Sequence, residues 1–406
     1  MRKKIIYTVI LLLLFTGFLV VYYVTNSQKN EEEIQNDKSD FTTTIINKTF
    51  KSENYLISPY SIEMALNMLK LGAKNDTRDE IEKVVGSREL NILNENVKIA
   101  NSLFIKNTYD SIIENDFKNI LSEKYNSEIL YDKFETPEII NDWVNKHTDG
   151  MIEKILNSIS PTFVLGLANA IAIDAKWNSQ FECENTTSEK FNMLPGKSLN
   201  VEMMHNTYES DAKYLITDEM KAVSLPYKED LEFIAILPNQ NIESYISKLN
   251  INELNNELDK FEEASYKKRL ILSIPRFSYS YDLSDFKNIL INMGIKNAFD
   301  SEKADFTSII TKENMNRLGI NNIYVSDAIH KTYIDLNEKG TKAAAVTYFG
   351  LRASGISTEK YKEIKIEFNK PFIYMIRDNK SKEVLFFGSV YKPNEWNGST
   401  CKKLDD

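Results

Sequence analysis

Asn337-Glu338-Lys339-Gly340-Thr341-Lys342-Ala343-Ala344-Ala345-Val346-Thr347-Tyr348-Phe349-Gly350-Leu351-Arg352-Ala353-Ser354 follows directly on a strand-like run, Tyr333–Leu336. Taken with period 2, Thr341, Ala343, Ala345, Thr347, Phe349, Leu351 and Ala353 share one face, and no charge falls among them. Lys342, Ala344, Val346, Tyr348, Gly350 and Arg352 share the other face, which carries both charges. That is the pattern of a strand half-buried in a sheet. Yet Gly355 through Lys362 is polar and loop-like. The stretch is therefore compatible with two states, an exposed loop and an inserted strand, and its small residues would let it slide between neighbouring strands. The simpler alternative is a small-residue edge strand or a short helix at Ala343–Ala345, since short apolar runs are ambiguous.

Outward from this stretch, the chain divides by texture. Ser61–Leu71 has apolar residues at helical spacing, and Gly72 can end that helix. Asp76–Ile81 carries helix-start signals, and Ile139–Leu156 is a further amphipathic helix candidate interrupted by Gly150. After Pro161 the pattern changes. Val164–Trp177 is a long apolar run without helical period, as a buried strand would be. Ala222–Pro226, Leu231–Pro238, Leu270–Pro275, Ile364–Phe368, Phe372–Arg377 and Val384–Val390 are also strand-like. Helices first and strands later give an α+β class. One domain is expected over 41–393, with a polar tail over 394–406.

The amino terminus suggests export. Arg2, Lys3 and Lys4 precede an uncharged apolar run, Ile5–Val24, whose twenty residues suffice to cross the hydrocarbon core. The run ends in Tyr22-Tyr23-Val24, a poor cleavage site, so residues 1–24 are expected to be an uncleaved signal-anchor rather than a cleaved signal peptide. Positive charge before the span places the amino end in the cytoplasm and the remainder outside. Residues 25–40 are a polar, flexible tether. The expected location is the extracellular side of the membrane, or secretion if the segment is cut. A net charge of −9 argues against nucleic acid or a heparin-like polyanion as partner. Cys183 and Cys401 have no metal-site spacing; one bridge is possible, and the simpler expectation is two unpaired thiols.

Chemistry is sparse. The three histidines, His147, His205 and His330, show no metal-ligand spacing, so no metal or cofactor is expected. There is no nucleophile elbow, phosphate-binding loop or dinucleotide glycine pattern. Nothing selects a catalytic constellation, so an enzyme is not expected. On its own, His330 would be a hydrogen-bonded core histidine and Trp177 simple core packing.

The hinge Glu338-Lys339-Gly340-Thr341-Lys342-Ala343-Ala344-Ala345 resembles that of an inhibitory serpin. Asp327-Ala328-Ile329-His330-Lys331 precedes it, and Phe368-Asn369-Lys370-Pro371-Phe372 and Leu385-Phe386-Phe387-Gly388-Ser389-Val390 follow it, in the family's order. Asn54 through Ile62, Asn169 through Trp177, and Ser224-Leu225-Pro226-Tyr227-Lys228 match as well. The resemblance runs from about Phe41 to Pro393. It implies a serpin fold: a large mixed sheet, two smaller sheets, eight or nine helices and an exposed reactive loop. It also implies inhibition of a target serine protease by a suicide-substrate route, in which the acyl-enzyme forms, the cleaved loop inserts into the main sheet, and a monomeric inhibitor traps its target. Gly340 and Thr341 match the part that enters first. Ser58, Ser61, Asn169 and His330 match the region where the central strands part, and Trp177 the top of that opening. A non-inhibitory serpin acting as a carrier is the alternative; such members commonly carry bulky or charged hinges, unlike this one.

Family spacing puts the scissile bond after the seventeenth residue counted from Glu338, at Ser354–Gly355. A small residue there suits an elastase-like or subtilisin-like target. Arg352–Ala353 is the second choice and suits a trypsin-like one. Thirteen residues, Gly355 to Glu367, separate Ser354 from Phe368, more than is usual in the family, so several bonds are candidates.

Overall fold

The computed structural model describes residues 41–87, 90, 97–193, 196–228, 230–283, 285–341 and 361–398. Residues 1–40, expected to be an anchor and tether, residues 342–360 with both candidate scissile bonds, and residues 399–406 lie outside them. In chain order the elements are α1 (41–49), β1 (Tyr55–Ile57), α2 (Pro59–Gly72), α3 (Asn75–Val85), β2 (Val97–Lys106), α4 (Asn115–Tyr125), β3 (Ser127–Asp132) and α5 (Glu138–His147). Then follow β4 (Leu165–Ile173), β5 (Ala175–Lys176), β6 (Thr187–Asn192), β7 (Ser198–Tyr208), β8 (Lys213–Ile216), β9 (Met220–Pro226), β10 (Leu231–Pro238), α6 (Ile242–Ile246), α7 (Ile251–Leu258) and β11 (Glu262–Glu263). The remainder is β12 (Lys268–Pro275), β13 (Phe277–Asp282), α8 (Phe286–Met293), α9 (Lys312–Arg317), β14 (Lys331–Asn337), β15 (Gly340–Thr341), β16 (Lys362–Glu367), β17 (Phe372–Asp378) and β18 (Val384–Val390). The class is α+β, as the helix-then-strand texture predicts.

Helix α2 shows how local sequence builds the centre. Ser58 caps it, its Oγ accepting from the Ser61 N–H at 3.1 Å, and Pro59 supplies a first-turn residue that needs no hydrogen-bond acceptor. Ile62, Met64, Leu66 and Met68 are buried, and the helix packs against β4 and β18. Each such side chain contributes roughly 1.5–3 kcal/mol of burial. Gly72 closes the helix for a packing reason, because a Cβ there would meet Ile309 at 2.5 Å.

The strands form a seven-stranded sheet ordered β1-β18-β17-β10-β9-β8-β11, a four-stranded sheet β16-β12-β7-β6, and two further groups, β13-β14-β15-β5 and β3-β2-β4. Only Asp174 separates β4 from β5, so the last two groups are halves of one sheet. Strand β15 joins them, pairing with β14 on one side and β5 on the other. Below this junction β4 and β14 do not pair with each other among the described residues.

Three expectations change. The helix expected over Ile139–Leu156 stops at His147. Asp149 and Gly150 take positive φ, and the chain doubles back. Asn141 grips the return, its Oδ1 accepting from Ile155 and Leu156 N–H at 2.9 and 3.0 Å. The segment therefore packs its apolar residues over the sheet without being helical. Residues 394–396, the start of the polar tail, are stitched to the domain: Glu395 bridges Val201, and the Trp396 N–H donates to the Asn200 carbonyl at 2.8 Å. Finally, Cys183 is disulfide-bonded, not an unpaired thiol.

Candidate functional site

The hinge residues of the quoted stretch lie at the junction of the split sheet. Thr341 pairs with Leu336 of β14 and Ala175 of β5, and Gly340 with Asn337 and Lys176. Thr341 is buried, and its hydroxyl meets the Tyr227 hydroxyl at 2.5 Å. Gly340 has φ +149°, and a Cβ there would sit 2.1 Å from the Ala175 carbonyl oxygen, so only glycine lets the hinge lie this close to β5.

A clasp from the segment after β5 holds the hinge backbone. The Trp177 indole N–H donates to the Asn337 carbonyl at 2.9 Å and its backbone N–H to Lys339 at 3.0 Å; the Phe181 N–H donates to Glu338 at 3.0 Å. Trp177 is fully buried and stacks on Tyr227 with centroids 4.4 Å apart. The Glu338 carboxylate, only 3% exposed, accepts from Arg276 at 2.5 and 2.6 Å and from the Thr186 hydroxyl. Arg276 also reaches Glu202 at 3.3 Å.

Lower down, helix α2 joins the two halves. The Ser58 N–H donates to His330 Nε2 at 3.0 Å, so that nitrogen carries a lone pair and the ring is neutral. Burial explains this, pushing the imidazole down to about 4. One turn on, the Ser61 hydroxyl donates to Asn169 Oδ1. The Asn169 amide donates to Asn101 at 2.8 Å, and Asn101 to the Tyr125 carbonyl at 2.7 Å. Ser58, Ser61, Asn169 and His330 thus form one polar chain from the residue just before β14 through α2 to β4. Ser354, Gly355, Arg352, Ala353, Ala343, Ala344 and Ala345 lie outside the described residues.

A family model described as "Serpin (serine protease inhibitor)" matches residues 36–393. The chain belongs to the serpin family. Among relatives of this serpin, an uncharacterized serpin-like protein of Thermococcus kodakarensis is 30% identical over 371 residues, covering 85% of this chain and 82% of that one. Bovine alpha-1-antiproteinase is 30% identical over 368 residues, covering 85% and 83%. The crystal structure of the thermophilic serpin tengpin in the native state matches with TM-score 0.76 at 30% identity, covering 89% and 94%.

Several residues of the serpin's site escape sequence reasoning. Arg276, Glu202 and Thr186 lie far apart in the chain and converge only through the pairing of β7 with β12 and of β6 with β7. Tyr227 lies within a stretch quoted for the resemblance, yet nothing marks its hydroxyl as the partner of Thr341. Arg269 lies 3.8 Å from the ring centroid of Tyr361, the first described residue after position 360.

Proposed function

We propose that this serpin inhibits serine-type endopeptidases as a suicide substrate, trapping the acyl-enzyme when the cleaved loop enters the sheet between β14 and β4. One observation carries this: Gly340–Thr341 is already a strand between β14 and β5. Continuing that antiparallel register sets Ala343 between Ile334 and Ile173, Ala345 between Thr332 and Ile171, and Thr347 between His330 and Asn169. Ile334, Thr332 and His330 are buried, and so are Ile173 and Ile171, so the uncharged face of the loop turns toward the core. The same register sets Lys342 on the other face between Asp335 and Asp174, where opposite charges favour pairing. Helix α2 supports the lower part, where Thr347 would meet the ends of the Ser58–His330 and Ser61–Asn169 links.

The scissile bond is Ser354–Gly355, with an elastase-like or subtilisin-like target, and Arg352–Ala353 the second choice. The register reaches Leu351 opposite Leu165, the first residue of β4, so either bond leaves enough chain to fill the sheet. A carrier role would need no such match between loop and sheet. Residues 1–24 anchor the chain in the membrane with the serpin domain outside; the disulfide at Cys183 supports an oxidising location. No helix among the described residues is long and apolar enough to cross a membrane. The inhibitor acts as a monomer and needs no cofactor.

The test is a panel of elastase-, subtilisin- and trypsin-like proteases mixed with the full-length chain in detergent micelles. A covalent band that survives boiling in sodium dodecyl sulfate, with a released carboxy-terminal fragment starting at Gly355, is expected. Cleavage without any such band across the panel would overturn the proposal. A fragment starting at Ala353 would move the bond to Arg352.

A further inference from the structure

Helix α5 ends on a histidine with an acceptor on each side of its ring. His147 is the last residue of α5. Its Nδ1 lies 2.8 Å from the Trp143 carbonyl oxygen, and its Nε2 lies 3.0 Å from Glu128 Oε1 on β3. A carbonyl and a carboxylate can only accept, so both ring nitrogens must donate, and the ring that satisfies this site is the imidazolium. Two further features favour the cation. A helix carboxy-terminus attracts positive charge. The Trp143 ring lies beside the imidazole with centroids 4.4 Å apart. The second oxygen of Glu128 accepts from the Trp143 indole N–H at 3.0 Å, which holds the carboxylate in place.

This contact fastens a segment that crosses the split sheet. Trp143 is buried edge-on against Phe104 of β2, with centroids 5.7 Å apart, and α5 also packs on β4. Past α5 the chain doubles back under Asn141, and the Lys331 Nζ of β14 donates to the Lys154 carbonyl at 3.4 Å. Segment 138–154 thus touches β2, β3 and β4 on one side of the gap and β14 on the other. The charged groups around His147 single out Glu128. Strand β4 carries none, β2 carries Lys98 and Lys106 near its two ends, and β3 adds Tyr131 and Asp132. On the segment itself, Glu138, Asp142, Lys146, Asp149, Glu153 and Lys154 are all exposed. Among the described residues, Glu128 is the one ion-pair partner of His147.

We propose that His147 is a proton-operated latch that fastens α5 to β3, and so holds the segment across the gap between β4 and β14. Histidine is the side chain that changes charge between about pH 5 and 8. Loss of the proton to solvent leaves a lone pair facing either Glu128 or the Trp143 carbonyl. The protonated ring makes both bonds in the folded chain alone, so the stabilisation is present in mild acid and is lost as pH rises. The segment then loosens over the gap. The inference rests on the proposed function only in taking that gap as the place the loop enters.

The test therefore uses no protease. Full-length chain in detergent micelles, His147→Gln and Glu128→Gln are compared by amide hydrogen exchange of residues 138–147 at pH 6.0 and at pH 8.5. His330 and His205 are common to all three proteins, so their contributions cancel. At pH 6.0 both variants should exchange about fivefold faster than wild type, the upper weight of a partly exposed ion pair. At pH 8.5 all three should agree. Glu128→Gln separates charge from packing, because its amide can still donate to a neutral ring. If a variant fails to fold, wild type alone decides: its α5 protection, taken relative to that of β17, should fall about fivefold from pH 6.0 to pH 8.5. Equal protection in all three proteins at pH 6.0, a variant effect of the same size at both pH values, or a wild-type ratio unchanged with pH would overturn the proposal.

Discussion

Replacing Thr341 by arginine puts a charge where the sheet has a buried methyl and hydroxyl. Thr341 is 4% exposed, flanked by Leu336 and Ala175, with Tyr227 as its hydrogen-bond partner. Losing that hydrogen bond costs about 1 kcal/mol. A buried, unpaired guanidinium adds about 3–5 kcal/mol after relaxation. If half of a total near 4 kcal/mol is felt in the transition state for insertion, insertion slows by about thirtyfold, at about 1.4 kcal/mol per decade. Deacylation of the trapped protease does not depend on this side chain. The variant should therefore be cut at the same bond but released, with many inhibitor molecules consumed per protease inactivated. Thr341→Val is the control, since it keeps the shape and adds no charge, and it should retain most of the complex. Titrating a fixed amount of active protease and scoring complex against cleaved chain on a denaturing gel measures the partition. An arginine variant with wild-type stoichiometry would refute the idea that this position must be buried in the sheet core when the loop inserts.

Four other outcomes follow from the same geometry. Gly340→Ala should expel the hinge from β5, because its Cβ would overlap the Ala175 carbonyl, and Trp177 fluorescence should shift; an unchanged spectrum would count against the close approach. Glu338→Lys sets two cations together and should lower stability by about 3–5 kcal/mol in denaturant titrations, since Arg276 and Thr186 lose their shared partner. His330 is neutral when folded and held down to about 4 by burial, so below about 6.5 the unfolded chain takes up a proton that the folded chain does not. Stability should fall as pH drops from about 6.5 to about 4, by up to about 3 kcal/mol, and His330→Gln should flatten that slope in thermal melts. Lys342→Glu should reduce complex yield without changing cleavage rate, and adding Asp174→Lys should restore part of it; no rescue would mean that the register of the inserted strand differs.

What was legible in the sequence follows the range of the interactions. The hinge could be read because its period-2 face is written in consecutive residues and its neighbours Asp327–Lys331 and Phe368–Phe372 keep a fixed order. Strands such as Val384–Val390 were legible because they are buried on both faces and have continuous apolar runs. The helix after Ile139 ends at His147 although the apolar spacing continues, because its end depends on the positive φ of Asp149 and on Asn141 capturing the returning chain. The Arg276–Glu338–Glu202 cluster joins residues distant in sequence, and no local pattern encodes it. His330 shows both kinds. Its type and place pointed to a core polar group, whereas its partner, the backbone N–H of Ser58, could be found only in the folded chain.

The most direct measurement is a crystal structure of the chain after cleavage in its loop. Residues 342–351 should form a strand between β14 and β4 in the register set by Thr341, with Thr347 between His330 and Asn169 and Lys342 between Asp335 and Asp174. A cleaved chain whose loop lies outside the sheet, or whose Thr347 falls one residue out of that register, would contradict insertion as the source of inhibition.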